Sequence, residues 1–426
     1  MKYYSTNRKS PSVGFKEAVI NSLPPDNGLY FPESIPVLSP EVLNNFRSMA
    51  LPEIGFEMMK AFASDIPEAD LRSILEDVLS FDIPLVQVEE DIYSLELYHG
   101  PTYAFKDVGA RFLARCLGYF SQDQDEEVTI LVATSGDTGG AVANGFYGVE
   151  GVKVVILYPS GKVSDLQEKQ LTTLGGNISA LEVDGDFDDC QALVKQAFLD
   201  KELNEKLSLT SANSINIARW MPQSIYYAWM LKQLESEDLL IAVPSGNYGN
   251  ITAAMFAKRL GFPVGSFLAC SNANDVVPRY LETAAYSPKA TVATYANAMD
   301  VSMPSNFPRM QELYDSSYEA ITADVSGFTL SDDQILQTIS DCRRESKYLL
   351  DPHGAIGYAA LKQHCQPGQR GVFLETAHPI KFAPTMAKAL GQELHMPDFA
   401  AGLMSREKVS QKIGKGYGEL KEWLME

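Results

Sequence analysis

Val128-Thr129-Ile130-Leu131-Val132-Ala133-Thr134-Ser135-Gly136-Asp137-Thr138-Gly139-Gly140 is a β-branched, apolar run that ends in hydroxyls, one carboxylate and glycines. A strand that is apolar at nearly every position is buried on both faces, as in a parallel sheet covered by helices. The rhythm continues outward from about residue 126. Lys153 to Tyr158 reads as a second strand, followed by a helix from Ser164 to Leu174. Ile178 to Val183 and Phe187 to Phe198 form the next strand and helix. Leu239 to Val243 runs into a second Gly-rich loop and a helix from Ile251, and Phe267 to Cys270 and Gly371 to Leu374 complete the set. Such alternation predicts an α/β fold of parallel sheets. Ligands in these folds bind beyond the C-terminal ends of the strands. Chemistry is therefore expected in the loops after Ala133, Val243 and Leu374.

The first 90 residues read differently. Pro-rich connections (Ser22 to Pro25, Pro32 to Pro40) separate helical patterns at Glu41 to Met49 and Glu68 to Leu79, which predicts a small, mostly helical N-terminal domain. A chain of 426 residues exceeds one compact core. The division expected is 1–90 for the helical domain, 91–235 for a catalytic region with the smaller α/β domain, and 236–426 for the larger α/β domain and tail. The formal charge of −20 argues against nucleic-acid and anionic-membrane partners, which need basic surfaces. The five cysteines are scattered and form no C-x-x-C pair, as expected of reduced thiols in a cytoplasm. The first residues lack the apolar core of a secretory leader, and no run of eighteen apolar residues occurs. The histidines show no metal-ligand spacing, so no metal is expected.

Four segments carry candidate chemistry. Thr134 to Gly140 offers hydroxyls and helix-start amides to a carboxylate or phosphate; it lacks the G-x-G-x-x-G of a nicotinamide site. Pro244-Ser245-Gly246-Asn247-Tyr248-Gly249-Asn250 can converge several amides on a dianion, and without a Lys-Ser/Thr ending it suits a monophosphate better than a triphosphate. Thr376, in Glu375 to Lys381, places a hydroxyl just past a buried strand. Asn213, Ser214 and Arg219 supply an amide, a hydroxyl and a guanidinium for a phosphate or carboxylate. Each loop alone is also compatible with a plain capping turn. Their company changes the reading of His99-Gly100-Pro101-Thr102-Tyr103-Ala104-Phe105-Lys106-Asp107, where one lysine follows a Gly-Pro turn and an aromatic approach. A desolvated Lys106 can form an imine with an aldehyde cofactor. Reactive lysine, phosphate cradle, carboxylate donors and a hydroxyl together match the needs of pyridoxal 5'-phosphate.

Those blocks, with Tyr4-Ser5-Thr6, Asn27 to Pro32, and Asn297-Ala298-Met299-Asp300, resemble the threonine synthases over nearly the whole chain. That family belongs to the tryptophan-synthase-β group of fold-type II pyridoxal-phosphate enzymes. The resemblance implies two parallel-sheet α/β domains with the cofactor between them, plus the N-terminal domain. It implies that Lys106 is the imine lysine and catalytic residue. Gly246, Asn247, Tyr248, Gly249 and Asn250 would hold the cofactor phosphate, and Thr376 would face the pyridine nitrogen. Thr134, Ser135 and Thr138 would take the substrate carboxylate, and Asn213, Ser214 and Arg219 the substrate phosphate. Asp137 stands where many fold-type II enzymes have an Asn facing the cofactor 3′-oxygen; a carboxylate there repels a phenolate unless a proton is shared. The implied reaction turns O-phospho-L-homoserine and water into L-threonine and phosphate, with a monomer or homodimer expected. A phospholyase on the same fold, giving 2-oxobutanoate, ammonia and phosphate, shares these motifs.

Overall fold

The computed structural model describes residues 1–122, 127–236 and 238–426. The expected starting point of the strand rhythm, residue 126, lies outside the described residues. The first strand of the rhythm is Val128–Ala133, buried at every position. It pairs in parallel with Val152–Pro159 on one side and Ser208–Ser211 on the other. Ile178–Val183 and then Gln411–Ile413 extend this five-stranded parallel sheet. Full burial of each Val, Leu or Ile side chain is worth about 1.5–3 kcal/mol, which is why continuous apolar runs take the central strands.

The second sheet has six strands, in the order Val325–Thr329, Ser266–Ser271, Leu239–Pro244, Arg370–Glu375, Ile92–Glu96, Leu85–Gln87. All pair in parallel except Leu85–Gln87, which runs antiparallel to Ile92–Glu96. Chain order and sheet membership diverge at both ends. Residues 85–96 complete the sheet built from 239–375, and Gln411–Ile413 returns to the smaller sheet.

Before residue 80 the chain forms a two-stranded antiparallel sheet, Tyr3–Ser5 with Tyr30–Pro32, and helices that include Leu51–Met59 and Glu68–Val78. Leu71, Leu75 and Val78 recur at helical spacing and are buried. Glu41 to Met49 is a short helix, Pro40–Asn45, that tightens into the 3-10 turn Phe46–Ser48. This region packs on the catalytic body: Phe31 stacks parallel to Trp220 with centroids 6.2 Å apart.

Candidate active site

The loop carrying Lys106 leaves the strand Ile92–Glu96 and is stitched to the loop after Arg370–Glu375. Leu97 N donates to Glu375 O (2.9 Å), Phe105 N to Thr376 O (2.8 Å) and His378 N to Tyr103 O (3.0 Å). Thr102 donates from its amide and its hydroxyl to the buried Asp107 carboxylate. Lys106 then opens the helix Lys106–Ser121, where the positive end of the helix dipole disfavours an ammonium. Its side chain is 16% exposed and lines a cleft between the two sheets' strand-end loops.

Asp137 begins the helix Asp137–Phe146 on the other wall. Its Oδ2 lies 3.7 Å from Lys106 Nζ. Its Oδ1 lies 2.7 Å from Nζ of the fully buried Lys381 and accepts from Gln167 Nε2 at 2.9 Å. Burial alone would raise the Asp137 carboxyl, but the Lys381 and Lys106 ammonium groups and the Gln167 donor hold it well below the usual carboxylate range. Burial pushes the Lys106 amine down; Asp137 opposes this, and the Lys381 and Arg219 charges reinforce it. Gly136, at φ +138°, makes the turn, and a Cβ there would lie 2.5 Å from the Gln167 side chain.

In the same loop Thr134 Oγ1 accepts from Gly136 N (2.9 Å) and Gly139 N (2.8 Å). Thr134 therefore shapes the loop, keeping its own proton to donate. Ser135 and Thr138 line the cleft, and their hydroxyls bond to none of the described residues.

The second loop follows Leu239–Pro244 and opens the helix Gly249–Arg259, with Tyr248 left-handed at φ +61°. The amides of Gly246, Asn247 and Tyr248 donate to none of the described residues. Asn250 Nδ2 is buried without a partner, while its Oδ1 accepts from Tyr227 OH. A Cβ on Gly246 would stand 2.8 Å from Met299 Cα and 2.9 Å from Ala298 O. Free amides at a helix start and a backbone approach that only glycine allows fit a phosphate group. Gly246→Ala should therefore push the loop off its backbone neighbours. We expect cofactor affinity to fall by about 1–3 kcal/mol, roughly 5- to 150-fold, because overpacking against main chain has no soft exit. Fluorescence titration measures it, and unchanged affinity would count against the cradle.

The fourth segment closes the cleft. Arg219 is 2% exposed, bonds Ala212 O through Nη1 and leaves Nε unpartnered. Asn213 Nδ2 donates to Ala133 O (3.3 Å), leaving its Oδ1 without a donor. Ser214 Oγ accepts from Asn306 Nδ2 at 3.0 Å. Ser305 donates to Asn247 Oδ1 (3.0 Å) and Asn306 N to Asn247 O (3.1 Å), so one neighbour supports both the phosphate loop and Ser214.

All the residues expected from the sequence, Lys106, Thr134, Ser135, Asp137, Thr138, Asn213, Ser214, Arg219, Gly246 to Asn250 and Thr376, line this one cleft. The sequence reading missed others. Lys381 lay inside a segment already singled out and went unassigned. Gln223 lines the cleft with an unpartnered Oε1, its Nε2 held by Arg219 O at 2.8 Å. His353 accepts from Ala298 N (3.2 Å), so the proton sits on Nδ1 and faces Asp351 at 2.7 Å. Arg309, fully buried, gathers Tyr30 O, Ser214 O, Ile215 O and Asn306 Oδ1. No motif signals these; only Lys381 stood near one.

Comparison with known proteins gives consistent matches. A family model described as pyridoxal-phosphate dependent enzyme matches residues 82–376. Models for the threonine synthase N terminus and C-terminal region match residues 2–79 and 354–423. Threonine synthase of Haemophilus influenzae is 44% identical over 429 residues, covering 100% of each chain. The crystal structure of threonine synthase from Escherichia coli superposes with a TM-score of 0.94 at 43% identity, covering 100% of this chain and 99% of that one. Pyridoxal-phosphate-bound threonine synthase from Brucella melitensis gives 0.93 at 35% identity, covering 100% and 98%.

Proposed function

The chain belongs to the threonine synthases, pyridoxal-phosphate-dependent enzymes, and from that premise we propose that its cleft converts O-phospho-L-homoserine and water into L-threonine and phosphate. The observation that carries the reading is the convergence, in one cleft, of a desolvated lysine and two separate sets of anion donors. One set is the amide loop at Gly246 to Asn250; the other is Asn213, Ser214 and Arg219. A substrate that is itself a phosphate ester, acted on beside a phosphate-bearing cofactor, needs two such sets.

Bound pyridoxal phosphate supplies an aldehyde and a ring that stabilises negative charge on the substrate carbon. Gly246, Asn247, Tyr248, Gly249 and Asn250 would hold its phosphate, and Thr376 would offer a neutral hydroxyl to its ring nitrogen. Asp137 would face its 3′-oxygen. Thr134, Ser135 and Thr138 donate to the substrate carboxylate. Lys106 Nζ, once neutral, takes a proton from the substrate Cα; loss of a Cβ proton then expels the phosphate from Cγ, and protons return at Cγ and, once water has added at Cβ, at Cα. Arg219 holds the substrate phosphate and stabilises the charge it gains as the Cγ–O bond breaks. Water adds at Cβ, so the cleft must exclude water until phosphate has left.

The phospholyase alternative has no specific observation in its favour, since the full-length relatives are threonine synthases. Incubation with O-phosphohomoserine decides it. Threonine and phosphate should form in equal amounts; 2-oxobutanoate and ammonia in place of threonine would overturn the reading. No helix among the described residues is long and apolar enough to cross a membrane. A cytoplasmic location and a monomeric or homodimeric assembly are part of the same proposal.

A further inference from the structure

Lys106, which lines the cleft, and the buried Lys381 share one carboxylate, Asp137. Lys381 sits in the 3-10 turn Pro379–Phe382 and is 0% exposed. Its Nζ has two acceptors, Asp137 Oδ1 at 2.7 Å and Thr102 O at 2.8 Å. Among the described residues Lys106 Nζ pairs with a carboxylate oxygen at Asp137 Oδ2, 3.7 Å away, beyond hydrogen-bond length. Coulomb attraction falls with distance, and a desolvated ammonium needs hydrogen-bond acceptors. Lys381 has both advantages, so it is the better-placed partner of Asp137.

We propose that Lys381 is a positioning residue for Lys106: by occupying Asp137 it leaves Lys106 as the amine that sheds its proton and reacts. This rests on the reading of Lys106 as the cofactor lysine. The free amine adds to the cofactor carbonyl carbon and the carbonyl oxygen leaves as water. An ammonium has no lone pair for the first step and must first give its proton to solvent. The charged groups that bear on Lys106 come from three directions: Asp137 from its helix start, Lys381 from the 3-10 turn and Arg219 from the helix Ile217–Trp220. Asp107, next along its own helix, is tied to Thr102. Asp137 and the Phe105 ring, 4.8 Å from Nζ, favour the ammonium, whereas the Lys381 charge opposes it and offsets the Asp137 carboxylate, whose Oδ1 Gln167 also engages.

The test uses protein freed of cofactor and follows capture of added pyridoxal phosphate against pH. Borohydride reduction and peptide mapping report which lysine reacted. A label on Lys381 or elsewhere rejects the reading of Lys106, separately from the present proposal. With the label on Lys106, the wild-type acid midpoint for capture should lie well below the ordinary lysine value of about 10.4; a midpoint near that value overturns the proposal. In Lys381→Met, Asp137 is left to Lys106, so the midpoint should rise by about one pH unit or more. Lys381→Gln, which can still donate to Asp137 but lacks the charge, should show a rise in the same direction if the methionine variant does not fold, and Lys381→Arg should restore the wild-type midpoint. A folded neutral variant with the wild-type midpoint refutes the proposal, because a purely structural lysine would not move it.

Discussion

Replacing Lys106 with Ala is expected to lower turnover by at least about 10³-fold while leaving the fold intact. A positioned general base alone contributes about 10²- to 10⁴-fold, and this side chain also bonds the cofactor covalently. Little in the fold depends on it. Lys106 lies in a helix's first turn, and its ion pair with Asp137 spans 3.7 Å. Removing it leaves the 2.7 Å Lys381–Asp137 contact in place. Thermal denaturation of the cofactor-free variant should therefore match the wild type. Cofactor should still bind through the amides at Gly246 to Asn250, more weakly and without the yellow imine absorbance. Threonine formation within tenfold of wild type would remove Lys106 from the mechanism.

The central strands were legible because burial on both faces leaves a continuous apolar signal. Val128–Ala133 and Ile178–Val183 match their sequence expectations end to end, and Leu239–Pro244 and Arg370–Glu375 differ by one or two residues. Strands nearer the edges carry less of that signal. Ser208-Leu-Thr-Ser211 is polar at all positions but one, and Val325-Ser-Gly-Phe-Thr329 contains a glycine; neither reads as a strand, and each is set by its partner's main chain. Ile92–Glu96 ends in a glutamate that His99 and Tyr348 satisfy only in the folded protein. The site follows the same division. Residues within a strand-end loop could be read as a group, since one loop brings them together. The Lys381–Asp137–Gln167 contacts join three separate loops or helix starts, and no spacing along the chain encodes them. Arg309 is the extreme case: apart from Asn306 Oδ1, its partners are main-chain carbonyls, which every residue carries. Asp137 illustrates the consequence. Repulsion between its carboxylate and a cofactor phenolate was a concern from sequence alone, and the two lysines beside it supply the compensating charge.

Arg219→Met should separate stability from function in opposite directions. In the ligand-free protein the guanidinium is almost fully buried, pairs with no carboxylate among the described residues, and keeps Nε unpartnered. Burial draws its pKa down to about 10, with Tyr226 and Asp107 only partly offsetting the effect. An uncompensated buried charge costs several kcal/mol, whereas the charge-assisted Nη1 bond to Ala212 O returns about 1.5–3 kcal/mol. Methionine fills similar volume without the charge. The ligand-free variant should therefore melt no lower than wild type, and the balance of terms favours a rise. Substrate reverses the sign. A phosphate supplies the counter-charge the guanidinium lacks, and losing one partner of a buried charge pair costs about 2–5 kcal/mol. That places kcat/KM for O-phosphohomoserine about 30- to 5,000-fold below wild type. Cofactor affinity should change by no more than about threefold, because the phosphate loop at Gly246 to Asn250 is a separate set of donors. Inorganic phosphate adds a check: binding only the native state stabilises by linkage, so with pyridoxal phosphate filling the Gly246 to Asn250 loop, phosphate should raise the melting temperature of wild type and not of Arg219→Met. A variant that loses cofactor and substrate together, or that melts well below wild type without ligand, would make Arg219 a structural residue and leave the substrate phosphate to Asn213 and Ser214 alone.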